Sequence, residues 1–120
     1  MKRQMPALLT RFDLASVDEV AVSSISEAEV FYGLVKKPGA MRLRLAAEKF
    51  FASVACLPWD SAAARAYGLL RAEQERKGRP LSTEDLMIAA HALSLGLTLV
   101  TNDSAFSFVD GLKTEDWTVT

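Results

Sequence analysis

Apolar positions recur along this chain in two rhythms, and the rhythm changes at Pro, Gly and Ser. Residues 19–24 carry β-branched side chains at alternate places (Val20, Val22), and residues 97–101 form an apolar, β-branched run. Both patterns predict strands. Residues 55–59 form a shorter extended stretch, which Pro58 assigns to a sheet edge or a strand end, and 112–117 hold a last short strand. Between these lie helical spacings. Residues 7–12 follow Pro6, with Leu8, Leu9 and Phe12 on one face, and predict a short helix. Ser26 and Glu29 have the spacing of a capping box, opening a helix that stops before Pro38-Gly39. Leu43, Ala46, Ala47, Phe50 and Val54 predict a helix from 41 or 42 to 52. Asp60 or Ser61 caps an Ala-rich helix over 61–77, ended by Gly78, and Ser82 or Thr83 caps another over 84–95, ended by Gly96.

Strands alternating with helices predict an α/β sandwich around a mainly parallel sheet, and residues 1–120 read as a single domain. Sites in such sheets form at the carboxyl ends of strands. Glu29 follows the first predicted strand, Asp103 follows the strand over 97–101, and Asp85 opens a helix that can face the same edge.

Composition narrows the chemistry. With 14 Lys plus Arg against 15 Asp plus Glu the net charge is −1, so any nucleic-acid contact rests on local patches. One cysteine, Cys56, excludes an internal disulfide and a Cys-rich zinc site, and one histidine, His91, excludes a His cage. No apolar run suggests a membrane span and no secretory signal is visible, which implies a cytoplasmic protein.

Each acid has a plain structural explanation: Glu29 as the capping-box partner, Asp85 in a helix first turn, Asp103 in a turn. Gathered at one edge, however, three carboxylates repel one another unless a cation joins them. Hard oxygen ligands imply Mg²⁺ or Mn²⁺, a site suited to phosphodiester hydrolysis.

The run Ser23-Ser24-Ile25-Ser26-Glu27-Ala28-Glu29-Val30-Phe31-Tyr32-Gly33 resembles the Ser-Ser-Ile-x-x-Ala-Glu-Leu-x-x-Gly segment of PIN-domain ribonucleases of the VapC toxin type. Leu57-Pro58-Trp59-Asp60-Ser61-Ala62-Ala63-Ala64-Arg65-Ala66-Tyr67-Gly68 is similar to the same family, as are Gly78-Arg79-Pro80-Leu81 and the stretch from Asp85 to Asp103. The motifs follow in the family's order over nearly the whole chain.

This resemblance implies a PIN-like three-layer sandwich and a metal-dependent endoribonuclease toxin. Asp85 and Asp103 would bind the metal, Glu29 would bind a second ion or orient the water, and Thr101 would be the hydroxyl residue beside the site. It further implies an antitoxin protein, an RNA substrate and a homodimer or higher oligomer. The family opens with a central strand ending in Asp-Thr-Asn or Asp-Ser-Asn, and no such segment stands in this sequence. That departure predicts a weakened metal site and a sheet without its amino-terminal central strand. Such a chain would be poorly stable as a monomer unless a swapped or tight oligomer, or a start further upstream, supplies the strand. Ala105 replaces a further acid that family members often carry.

A catalytically impaired PIN-fold module that keeps antitoxin or self-association surfaces is therefore the alternative. A receiver-like phosphoacceptor domain fits less well, because Thr101 and Asn102 stand where it wants a Lys. Of the other features, His91 and Cys56 read as buried, and Phe31, Tyr32, Phe50 and Phe51 read as core. Arg71, Arg76, Lys77 and Arg79, interleaved with Glu73 and Glu75, read as a solvated helix face. Lys36, Lys37, Arg42 and Arg44 bracket a loop with fewer acids and form the candidate RNA-facing patch.

Overall fold

The computed structural model describes residues 7–10, 20–79 and 81–117. Along these, the elements run β1 (Leu8–Thr10), β2 (Val20–Ser23), α1 (Ser24–Val35), α2 (Met41–Ser53), β3 (Ala55–Leu57), α3 (Ser61–Arg76), α4 (Thr83–Leu95), β4 (Thr98–Val100), a 3₁₀ helix (Ser104–Phe108) and β5 (Thr114–Glu115). The strands form one five-stranded sheet in the order β3-β2-β1-β4-β5.

β2 pairs parallel with β3, and β4 pairs parallel with β5. β1 is antiparallel to both of its neighbours, β2 and β4. Two antiparallel steps restore direction, so β2 to β5 all run one way and only the central strand is reversed. The sheet is therefore mixed, with two parallel and two antiparallel pairings where a mainly parallel sheet was expected, because the central strand is reversed.

The register of β1 sorts the core. Leu9 faces Ala21 on one side and Leu99 on the other, and these belong to a cluster with Leu70, Leu86, Ile88, Ala89 and Phe106. Leu8 faces Val22 and Val100, which with Val20 form a second cluster against Phe50, Phe51 and Val54. Alternate residues of one strand thus feed cores on opposite faces. The layers are α3 and α4 on one side, the sheet, and the end of α2 on the other.

Two expectations are corrected here. The helix expected over 7–12 is a strand at its described part, because three successive side chains are buried between two strands (Phe12 lies outside the described residues). A short apolar run has no period long enough to tell helix from strand, and the slot between β2 and β4 decides. The central position is also not empty: Leu8–Thr10 fills it and pairs with both neighbours.

Smaller differences have local causes. Ser23, not Ser26, caps α1, its Oγ accepting the Ile25 N–H, so the helix starts three residues early and Glu29 is not a capping-box partner. Cys56 is exposed rather than buried, because β3 is an edge strand. Tyr32 is 65% exposed, on the outer face of α1, with the Lys36 ammonium 5.1 Å from its ring centre. Phe31 does pack, its ring 5.4 Å from that of Phe51, which ties α1 to α2. α2 forms where its spacing predicts, yet none of its residues is fully buried. The last strand is only two residues, and the strand expected over 97–101 keeps its middle three.

Other expectations hold. Asp60 caps α3 through the Ala63 N–H at 3.0 Å, and Ser82 caps α4. Gly96 ends α4 at φ 66°, a left-handed conformation that a side chain would strain. The basic residues of α3 are salt-bridged at the surface, Arg71 to Glu75 at 3.0 Å and Arg76 to Glu73 at 2.8 Å, while Lys77 bridges Glu73 and Asp110. Among the described residues no helix is long and apolar enough to cross a membrane.

Candidate active site

β2 and β4 point their carboxyl ends at the same sheet edge, flanking the amino end of β1. A cleft of about 220 Å³ opens there, lined by Glu29 and Ser26 from α1, Asp85 and Ile88 from α4, and Thr101, Asn102 and Asp103 after β4. All four residues expected at the site therefore meet in one place, carried by three separate segments.

Each is held differently. Glu29 sits on an exposed rim in the second turn of α1. Asp85 is half-buried in the first turn of α4, where its N–H donates to Ser82 Oγ at 3.1 Å and its carboxylate also takes a hydrogen bond from Ser82. The first-turn place expected of Asp85 is thus real, and it coexists with a place in the cleft. Thr101 is buried, and its Oγ1 accepts the Asp103 N–H at 3.1 Å. Asp103 caps the 3₁₀ helix, with Oδ1 accepting the Ala105 N–H at 2.9 Å.

The carboxylates feel one another. Burial raises the pKa of Glu29 above the usual glutamate value, and the charges of Asp85 and Glu84 raise it further. Burial likewise raises Asp85; the Ser82 hydrogen bond opposes this, and the charges of Asp103 and Glu84 add to it. Clustered, partly desolvated carboxylates of this kind favour either a proton or a cation.

The donor chemistry, oxygen only, fits a hard divalent ion. Among the described residues, however, no three acidic, His or Cys side chains are close enough together to form a ready cage. Mg²⁺ commonly binds through one or two carboxylates, waters and substrate phosphates, so the pair Asp85 and Asp103, with Glu29 across the cleft, meets that looser requirement. β1 contributes no carboxylate. Being reversed, it meets the cleft through Ala7 at its amino end, where the resemblance implies an Asp at a carboxyl end.

Ser26, Asn102 and Phe106 also line the cleft and were not expected there. Ser26 was readable as a cap, but it lies three residues before Glu29, and that spacing on one helix face was the available signal.

A mixed α/β sheet with an acidic cleft at the carboxyl ends of β2 and β4 agrees with the comparisons. The PIN domain profile matches residues 7–112, and the chain belongs to the PIN-domain family, among its VapC-type members. It is 39% identical over 118 residues to the tRNA(fMet)-specific endonuclease VapC of Shigella flexneri, covering 98% of this chain and 89% of that protein. Ribonuclease VapC2 of Haemophilus influenzae is 35% identical over the same shares. Among solved structures, DNA-bound VapBC from Salmonella typhimurium matches with a TM-score of 0.77 and 40% identity, covering 81% of this chain and 74% of that chain. VapBC-1 from nontypeable Haemophilus influenzae matches with a TM-score of 0.78 and 30% identity, over 88% and 80%.

Proposed function

We propose that this chain is an endoribonuclease toxin that hydrolyses RNA phosphodiester bonds at the acidic cleft with Mg²⁺ or Mn²⁺. The observation that carries this reading is the convergence of Glu29, Asp85, Thr101 and Asp103 on one cleft at the carboxyl edge of the sheet. A bound divalent ion would activate water and offset charge on the scissile phosphate. In this reading Asp85 and Asp103 hold the ion, with Ser82 and the Thr101 hydroxyl fixing their loops. Glu29, whose raised pKa favours proton uptake near the reaction, orients the attacking water. A relative at 39% identity is a tRNA(fMet)-specific endonuclease, so initiator tRNA is the first substrate to try.

The partners follow from the same family. A cytoplasmic antitoxin protein would cover the apolar outer faces of α1 and α2, where Val35 is 70% exposed, Met41 63% and Leu45 61%. A second copy would pair through the groove of α3 and α4 that carries Leu69, 78% exposed, giving a homodimer or a higher oligomer.

One observation favours the second reading, a PIN-fold module with impaired catalysis. The central strand presents Ala7 rather than an acid, and no three-carboxylate cage is formed among the described residues. Incubating the chain with initiator tRNA and Mn²⁺, alongside Asp85→Asn, separates the two. Cleavage by the parent and none by the variant supports the enzyme. Equal cleavage rejects the site, and intact RNA with both, together with no saturable Mn²⁺ uptake by calorimetry, supports the module.

A further inference from the structure

Ser26 is 3% exposed, and among the described residues its Oγ has no hydrogen-bond partner. Leaving a buried hydroxyl unsatisfied is costly, so such a group calls for an explanation. Among the described residues only Thr98 Oγ1 shares this condition, and Thr98 lies in β4 away from the cleft. Ser26 instead lines the acidic cleft, one helical turn before Glu29. An alanine would suit a helix better and pack as well, so nothing in the packing requires the hydroxyl.

The charge of the cleft supplies the reason. Phosphate carries negative charge into a space lined by Glu29, Asp85 and Asp103, and among the described residues none that lines it is Lys or Arg. What the described residues offer an anion there is neutral donors. These are the Ser26 hydroxyl, the Asn102 amide and the Thr101 hydroxyl, whose oxygen accepts from Asp103 and whose proton remains to give. Ser26 also stands in the first turn of the 12-residue α1, where the positive end of the helix dipole favours negative charge.

We infer that the Ser26 hydroxyl binds substrate, donating a hydrogen bond to a non-bridging oxygen of an RNA phosphate seated in the cleft. This rests on the nuclease reading for its substrate class. Because the hydroxyl is buried, the bond forms only when RNA enters and the wall around Ser26 gives way, which is why the hydroxyl has no partner among the described residues.

Parent, Ser26→Ala, Ser26→Thr and Asp85→Asn are compared in three ways: thermal melting, cleavage of initiator tRNA with Mn²⁺, and anisotropy binding of a short fluorescent single-stranded oligoribonucleotide with Ca²⁺. Ser26→Ala is expected to melt at or above the parent temperature, to bind the oligoribonucleotide about 10- to 100-fold more weakly, and to lose cleavage by a similar factor. Ser26→Thr recovers part of both. Parent-like binding by Ser26→Ala overturns the inference, and so does a loss of binding matched by a fall in melting temperature that Ser26→Thr does not repair. If the parent binds but never cleaves, the nuclease reading fails while the binding comparison still decides for or against Ser26. If the parent neither binds nor cleaves, both fall. Cleavage lost in Asp85→Asn but unchanged in Ser26→Ala rejects Ser26 alone.

Discussion

His91 Nδ1 lies 2.8 Å from Ser23 Oγ, joining the middle of α4 to the residue that ends β2 and caps α1. The ring also hydrogen-bonds the Pro58 carbonyl, which can only accept, so a neutral imidazole keeps its proton there. Nδ1 then accepts from the Ser23 hydroxyl, while Ser23 Oγ accepts the Ile25 N–H at 3.1 Å. The next residues complete a clasp. Trp59 donates its N–H to Ser24 Oγ at 3.0 Å and its indole N–H to the Met87 carbonyl at 2.8 Å. α1 and α4, which carry Glu29 and Asp85, are thereby locked together.

Ser23→Ala removes the cap of α1 and strands a buried ring nitrogen. It should destabilise the chain by about 1–3 kcal/mol, read from urea denaturation. Trp59→Phe, losing one hydrogen bond of the clasp, should lose about 1 kcal/mol.

Burial lowers the His91 pKa below its usual value of 6.5, against the opposing pull of the Asp60 charge and the Pro58 hydrogen bond. A depressed base binds fewer protons folded than unfolded. Its contribution to stability is complete above about pH 6.5 and is lost as pH falls through the lowered folded value. Melting temperature measured from pH 7.5 down to pH 5 should therefore drop, and His91→Gln should flatten that part of the curve.

Glu29 has the opposite sign. Its raised pKa means the folded state holds a proton more tightly, so its ionisation costs stability as pH rises. Glu29→Gln should melt higher than the parent at pH 7, by roughly 1–2 °C given its exposed rim position. The gap should close as pH falls below 4.5, the usual value of the group. Cleavage by the same variant should fall, so activity and stability would move in opposite directions.

Leu9 is fully buried and pairs through β1 with both halves of the sheet. Leu9→Ala is expected to cost about 2–5 kcal/mol by denaturation, since the cavity would open where β1 alone connects β2 to β4.

Lys36, Lys37, Arg42 and Arg44 are all exposed around the turn between α1 and α2, and Arg44 pairs only loosely with Glu48 at 4.0 Å. If RNA crosses this turn, Lys37→Glu with Arg42→Glu should weaken RNA binding at low salt and flatten the dependence of log K on log salt by about 1 per lost contact. Melting temperature should hold.

Much of this architecture was legible in residue order. Asp60, Ser82 and Gly96 mark helix ends by side-chain oxygen and by missing Cβ, which are local effects that act wherever those residues stand. The three acids were legible as well, because Glu29 and Asp103 follow strands whose carboxyl ends fall at one sheet edge and Asp85 opens a helix that meets it. What was not legible depended on neighbours distant in the chain. Leu8-Leu9-Thr10 has no rhythm of its own, and it becomes a reversed central strand only because β2 and β4 leave a slot whose backbone groups need partners. Ser23 and Ser26 are equally good caps by type. The end of β2 and the ring of His91 choose Ser23, and that choice leaves Ser26 lining the cleft with its hydroxyl buried. The sequence by itself thus determined the later helices, the strands β2 to β5 and the acids, but not the central strand. Tertiary packing alone decided the direction of the central strand and which serine caps α1, because both depend on hydrogen-bond partners that only the folded chain brings near.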